Sequence, residues 1–330
     1  MISVYTIQND QLVLSTVSPT DALPAGTVWI DLLKPAREED SAVEAWTGIS
    51  IPTREDMVEI EESSRFYAEG GAQYLTAPIL YATDTEAAGI GPVTFILANG
   101  LLVTVRYTEP KTIALYISRA MKAGSGLVGS KCTGMNIMLG IIESATDRLA
   151  DFLEGVSAEI DQTSRGIFRR STKDRPMTTQ DFRRSLNRIG GQGEFLSKVR
   201  ESLAGIGRAL VYLTAMQNEQ APGKEKRAWI KSLERDTQSL EAYVDFLSNK
   251  ITFLLDTIIG MISIEQNAII KIFSVAAVAF MPPTLVASIY GMNFTFMPEL
   301  ATKWGYPLAL GAMVLSAIIP LLYFRKKGWF

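Results

Sequence analysis

Two features of this chain can carry ion chemistry: amides in a repeated triplet and a carboxylate set in an apolar run. The triplet Gly-Met-Asn occurs at 134–136, in KCTGMNIMLGII, and at 291–293, in SIYGMNFTFMPEL. Asp256 interrupts the run FLLDTII, where a buried, unpaired carboxylate would be costly. The chain has no histidine and one cysteine, Cys132. Imidazole is therefore excluded as base, pH switch or metal ligand, and a disulfide framework within the chain is excluded too. Metal chemistry here must run on carboxylates, amides, carbonyls or water. At 134–136 the triplet opens an amphipathic helical pattern that Thr133 is placed to cap, so helix-start chemistry accounts for it. At 291–293 it ends a long apolar run. A glycine C-cap accounts for Gly291 there but leaves Asn293 unexplained.

The elements that must position these residues follow from the hydropathy pattern. Residues 272–289 form 18 positions without a charge and residues 305–324 form 20 more. Runs of that length cross a hydrocarbon core about 30 Å thick, and the alternative is a pair of buried core helices. Arg325, Lys326 and Lys327 follow the second run, as a basic cytosolic tail follows a span. Two spans put both termini on one side, and the start MISVYTIQND has no signal-peptide character. The expected location is the inner (plasma) membrane with both termini cytosolic. The loop 290–304 then faces outward with only Glu299 and Lys303 as charges.

Residues 1–123 read as an α/β domain: SVYTI, TVWIDL, AQYLTAPILYA, VTFILA and LLVTVRY are strands, PAREEDSAVEAWTG and EPKTIALYISRAMKAG are helices. No P-loop, dinucleotide turn or nucleophile elbow is present, so no enzyme is expected. A net charge of −3 gives no sign of nucleic-acid binding. From about Met135 the period becomes helical. Residues 124–223 read as a helical hairpin with Pro176 near its tip and Gly190, Gly191 and Gly193 marking a bend. A stalk helix, 224–268, leads into a first span at 269–289, an outer loop at 290–304, a second span at 305–324 and a basic tail at 325–330. Residues 224–289 are 66 positions, about 100 Å of helix, with no partner of equal length in the chain. Such a helix requires copies of itself, and a ring of first spans is a pore architecture. Pro282 and Pro283 are expected to kink or unwind the span.

The stretch NAIIKIFSVAAVAFMPPTLVASIYGMNFTFMPEL, residues 267–300, resembles the pore helix and outer loop of the CorA magnesium channels. Those carry Tyr-Gly-Met-Asn, then Met-Pro-Glu-Leu, then a short second span ending in basic residues. KWGYPLALGAMVLSAIIPLLYFRKKGWF matches that ending. The likeness is dense from about Asp256 to the C-terminus, and elsewhere the order of parts agrees.

The resemblance implies a funnel-shaped homo-pentamer: an α+β N-terminal domain, a long helical hairpin and stalk helix, and two C-terminal transmembrane helices. It implies passive Mg2+ influx through a pore lined by the first span. Asn293 then forms a ring of neutral oxygens that accepts hydrogen bonds from the ion's water shell, which Mg2+ gives up reluctantly. Gly291 and Met292 would shape the turn and Tyr290 would support it. Thr284 and Asn267 would add polar rings, and their spacings of nine and 26 residues from Asn293 are read as one helix face. Met281, Phe273 and Ile270 would form apolar constrictions that gate by dewetting. Glu299 would raise the local cation concentration. Asp256, paired with a carboxylate near Asp84 of the neighbouring subunit, would bind regulatory cytosolic Mg2+. Co2+ and Ni2+ are further candidate ions. Zn2+, as in the related ZntB proteins, fits less well with a chain lacking histidine. The expected partners are copies of the chain, membrane lipid and divalent cations, with no nucleic acid. The reading from a different class is a membrane-anchored binding or scaffold protein that does not conduct.

Overall fold

In a computed structural model of the chain, the β-branched and aromatic runs become seven strands of one mixed sheet. The structure describes residues 1–59, 61–81, 88–129, 131–168, 178–216, 221–293, 297–298 and 302–329, without the side chains at 62, 63 and 179. It divides into two compact units, one of Met1–Arg175 with Arg184–Phe253 and one of Leu254–Phe330 with Pro176–Arg183.

The strands are β1 (Ile2–Gln8), β2 (Gln11–Ser15), β3 (Thr27–Leu33), β4 (Phe66–Glu69), β5 (Ala72–Tyr81), β6 (Gly89–Ala98) and β7 (Leu101–Arg106), in the order β2-β1-β3-β7-β6-β5-β4. Among the described residues only β3 and β7 pair in parallel; the other neighbours are antiparallel. The short edge strands β2 and β4 escape the sequence reading, because five and four residues hold too few alternations to stand out. Helices α1 (Arg37–Thr47), α2 (Arg54–Val58), α3 (Glu62–Arg65) and α4 (Lys111–Ala120) surround the sheet. The short α2 and α3 were not expected either.

Alternation along the central strands gives the sheet two buried faces. Ile30, Leu32, Val103 and Val105 join Val43 of α1 and Met57 of α2 in one core. On the other face Trp29 stacks on Tyr5 at 4.5 Å and meets Tyr116 of α4 edge-on at 6.3 Å. That second face holds an ion pair. Arg106 Nη2 donates to Asp31 Oδ2 at 2.7 Å, Thr104 Oγ1 donates to Asp31 Oδ1 at 2.7 Å, and Trp29 Nε1 donates to Thr104 Oγ1 at 3.0 Å. The buried carboxylate and guanidinium satisfy each other across the one parallel pair of strands.

Four long helices follow: α5 (Gly134–Phe168), α6 (Thr179–Ala215), α7 (Lys224–Tyr290) and α8 (Gly305–Lys326). Gly134 brings α5 against the sheet: a Cβ there would stand 2.3 Å from the Leu102 backbone nitrogen. Gly205 does the same for α6, where a Cβ would lie 2.2 Å from Pro78 of β5. Helix α6 runs unbroken through Gly190, Gly191 and Gly193. Leu196, Val199, Leu203, Ile206, Leu210 and Leu213, buried at helical spacing, carry the helix despite its weak formers. Helix α7 is 67 residues long and contains Pro282 and Pro283 without interruption, so the expected unwinding does not occur. The hairpin tip at Pro176 lies outside the described residues.

Candidate functional site

The two Gly-Met-Asn copies have different local chemistry. In the first, Thr133 N–H and Thr133 Oγ1 donate to Asn136 Oδ1 at 3.1 and 2.9 Å, and Gly134 N–H donates to Gly100 O at 2.6 Å. Met135 is buried. Each residue of this triplet is thus used to start α5 and seat it on the sheet. Lys226 of α7 donates to the Thr133 hydroxyl at 2.8 Å, so the starts of α5 and α7 are tied together. Burial lowers the Lys226 ammonium pKa from its ordinary value.

The second copy follows the last turn of α7. Gly291 N–H donates to Ala287 O at 2.9 Å and Met292 N–H to Ile289 O at 3.3 Å. Gly291 does not adopt the left-handed conformation of a glycine C-cap. A Cβ there would sit 3.1 Å from the Ala287 carbonyl, a tight fit. Asn293 lies beyond the helix, is exposed, and makes no hydrogen bond among the described residues. Because α7 ends at Tyr290, helical spacing cannot relate Asn293 to Thr284 or Asn267. Even on a continued helix, nine residues are about half a turn out of phase. Tyr290 lines a cavity of about 360 Å3 with Ala287, Gly305, Tyr306 and Ala309, where the end of α7 meets the start of α8.

Within α7 the spacing argument is sound. At about 100° per residue, Asp256, Asn267, Ile270, Phe273, Met281 and Thr284 fall within about 120° of one another. All six are exposed in the single chain. Between Lys271 and Tyr290 the covered or half-covered residues are Val275, Ala276, Ala279, Pro282, Pro283 and Val286, which occupy the opposite arc, also about 120° wide, although Ile272 on that arc is 65% exposed. Val275 and Ala279 are 4% and 7% exposed, whereas Phe273 and Met281 are 72% and 68% exposed. The chain therefore covers one face of this helix and leaves bare the face carrying the six candidates. Ser274, Ala277 and Ser288 share the bare arc and were passed over, although each lies four or seven residues from a chosen position. Thr284 Oγ1 donates to Phe280 O at 2.8 Å, which commits its proton and leaves its oxygen as an acceptor.

Helices α7 and α8 are long and apolar enough to span a bilayer, and their apolar windows are 11% and 0% buried within the chain. Core helices of a soluble protein would be mostly covered. Asp256 is exposed rather than buried, so within one chain its carboxylate carries no desolvation cost of the kind expected from its apolar neighbours. Among the described residues no three carboxylate or thiol groups cluster in a way that would hold a metal ion. Asp84 and Glu299 lie outside the described residues.

Comparison with known proteins agrees with this layout. Residues 24–326 match the family model described as "CorA-like Mg2+ transporter protein". The "Magnesium transport protein CorA" of Haemophilus influenzae is 34% identical over 329 residues, covering 100% of both chains. The structure titled "The complete structure of CorA magnesium transporter from Methanocaldococcus jannaschii" superposes with a TM-score of 0.79 at 19% identity, covering 100% of this chain and 99% of that one. The ZntB cytoplasmic domain of Vibrio parahaemolyticus gives a TM-score of 0.57 at 10% identity over 79% of this chain and 97% of that one.

Proposed function

This chain belongs to the CorA-like Mg2+ transporter family, and from that premise we propose that it conducts Mg2+ passively through a pore lined by the bare face of α7. Its relatives are transport proteins rather than enzymes, and its two apolar helices make it a membrane protein. One observation carries the pore reading. The arc of α7 bearing Asn267, Ile270, Phe273, Met281 and Thr284 lies opposite the arc the chain itself covers. A helix with one face covered and the opposite face bare can close a ring with copies of itself, and five copies are proposed.

In that ring, Asn293 at the mouth binds the hydrated ion through its carboxamide oxygen. Five neutral oxygens hold the water shell without the tight binding of five carboxylates, and conduction requires the ion to leave again. Gly291 and Met292 shape the turn and Tyr290 backs it. Thr284 and Asn267 supply polar rings below, and Met281, Phe273 and Ile270 supply constrictions that dewet when closed. Glu299 concentrates cations at the entrance. Both termini are cytosolic in the inner membrane. Entry is downhill, since a divalent ion gains about 4.6 kcal/mol per 100 mV of inward-directed potential. Cytosolic Mg2+ held between Asp256 and Asp84 of adjacent subunits stabilises the closed state by binding it better than the open one. Co2+ and Ni2+, close to Mg2+ in charge and size, follow the same path.

The test is ion flux into liposomes under an imposed inward-negative potential. Purified protein is expected to take up Mg2+, with Co2+ and Ni2+ competing and Zn2+ competing less. Protein that passes none of these ions refutes the channel and leaves the scaffold reading; Zn2+ uptake in preference to Mg2+ favours a ZntB-like transporter.

A further inference from the structure

The chain's last described residues form a folded cap at the end of α8. Trp329 N–H donates to Phe324 O and Gly328 N–H to Arg325 O, both at 3.1 Å, with Gly328 at φ 71°. This is a Schellman motif, and only glycine takes that φ without strain. Its usual apolar contact is present: the Trp329 ring stacks on Phe324 at 4.9 Å. The reversal carries the indole back to α7, where Lys271 Nζ lies 5.8 Å from the ring centroid. Lys327 Nζ lies 5.3 Å from the Tyr323 ring.

The cap sets Lys271 and Lys327 against aromatic rings, with Arg325 and Lys326 next to them in the chain. All four cations are exposed. No carboxylate pairs with any of them among the described residues. On α7 the nearest acid before Lys271 is Glu265, about 9 Å along the axis. Four exposed cations without a carboxylate partner among the described residues leave a positive surface at the end of an apolar hairpin, and the C-terminal dipole of α8 offsets only part of it. Tyr323 and Trp329 are amphipathic rings of the kind that settle at the headgroup level.

We propose that this cap is a binding site for the headgroup of an anionic phospholipid, with Lys271 and Lys327 contacting the phosphate, Lys326 adding to the positive field beside them and Trp329 holding Lys271 in place. The proposal rests on the membrane-spanning reading of α7 and α8 and is independent of conduction. Such a site anchors the cytosolic ends of both spans to the leaflet.

The full-length protein in detergent is titrated with dioctanoyl phosphatidylglycerol or dioctanoyl phosphatidylcholine and followed by native mass spectrometry. Phosphatidylglycerol is expected to bind more tightly, and less so as salt rises. The double variant Lys326→Gln, Lys327→Gln should bind phosphatidylglycerol about 25-fold more weakly, at about fivefold per basic residue, with phosphatidylcholine unchanged. Lys326→Arg with Lys327→Arg should keep the affinity, and Trp329→Ala should lose severalfold. Equal affinity for the two lipids, or no loss in the glutamine variant, overturns the site. Displacement of the lipid by equimolar inorganic phosphate also overturns it, since a free anion would then be the ligand. Alkaline extraction of membranes tests the premise separately: a released protein refutes the spans, while a retained protein without lipid preference refutes the site alone.

Discussion

The same tripeptide stands in two different settings in this chain, and only its neighbours distinguish them. Asn136 sits where α5 begins, and its amide oxygen accepts from both the N–H and the hydroxyl of Thr133. Asn293 has its amide unused among the described residues and stands past the end of a spanning helix. Asn136→Ala should therefore lower stability by about 0.5–1.5 kcal/mol per hydrogen bond lost, and leave Mg2+ uptake intact. Asn293→Ala should abolish selective uptake while leaving thermal unfolding nearly unchanged. Uptake and melting measured on both variants decide the matter; an Asn293→Ala protein that still takes up Mg2+ selectively removes the ring from the mechanism.

At the scale of elements, glycine has opposite meanings along α6. Gly205 lets the helix touch Pro78, whereas a Cβ at Gly191 would meet nothing within 4 Å. Gly205→Ala should destabilise by about 1–3 kcal/mol through overpacking, and Gly191→Ala should stabilise by up to about 1 kcal/mol through helix propensity. Denaturant titration of the two variants checks the signs, and two losses would mean that Gly191 faces a close neighbour. The pairing of α5 with α7 has its own titrating contact at Glu143, which accepts a hydrogen bond from Trp229. Burial raises the Glu143 carboxyl pKa above its ordinary range, with Asp147 and Asp236 adding to the rise and the Trp229 bond and Arg119 opposing it. The folded chain then holds that proton more tightly than the unfolded chain. The stabilisation is complete below the unfolded pKa and is lost as pH rises through the folded one. Glu143→Gln should accordingly raise the melting temperature near neutral pH, with the gain vanishing as pH falls through the carboxylate range. A gain independent of pH would assign the effect to packing.

For the whole molecule the decisive quantity is how a chain with one bare helical face behaves among its copies. Asp256 belongs to that face and is exposed in one chain, so its cost or benefit arises only in the assembly. If it binds Mg2+ with a partner carboxylate, Asp256→Lys puts a fixed cation where the ion would sit. Limited proteolysis of the reconstituted protein should then show resistance that no longer depends on Mg2+, where the parent chain becomes more resistant as Mg2+ rises. Unchanged Mg2+ dependence would take Asp256 out of the regulatory site.

Much of this molecule is legible in the sequence because its signals are long. Two uncharged runs of 18 and 20 residues, and a helical stripe without proline for most of its length, leave few alternatives to a stalk and two apolar helices. The expected helix at 224–289 and the observed α7 differ by one residue. Short or non-local features were not legible. The edge strands are too brief for periodicity, and the Asp31–Arg106 pair joins residues 75 apart in sequence. The fit of Gly134 and Gly205 against the sheet depends on distances no linear pattern contains. Local chemistry and hydropathy, which act over a turn or a span, were determined by the sequence itself. Which face of α7 is covered, which asparagine is consumed by a helix start, and where Lys271 meets Trp329 were decided only in the tertiary structure, because each depends on the approach of elements distant along the chain.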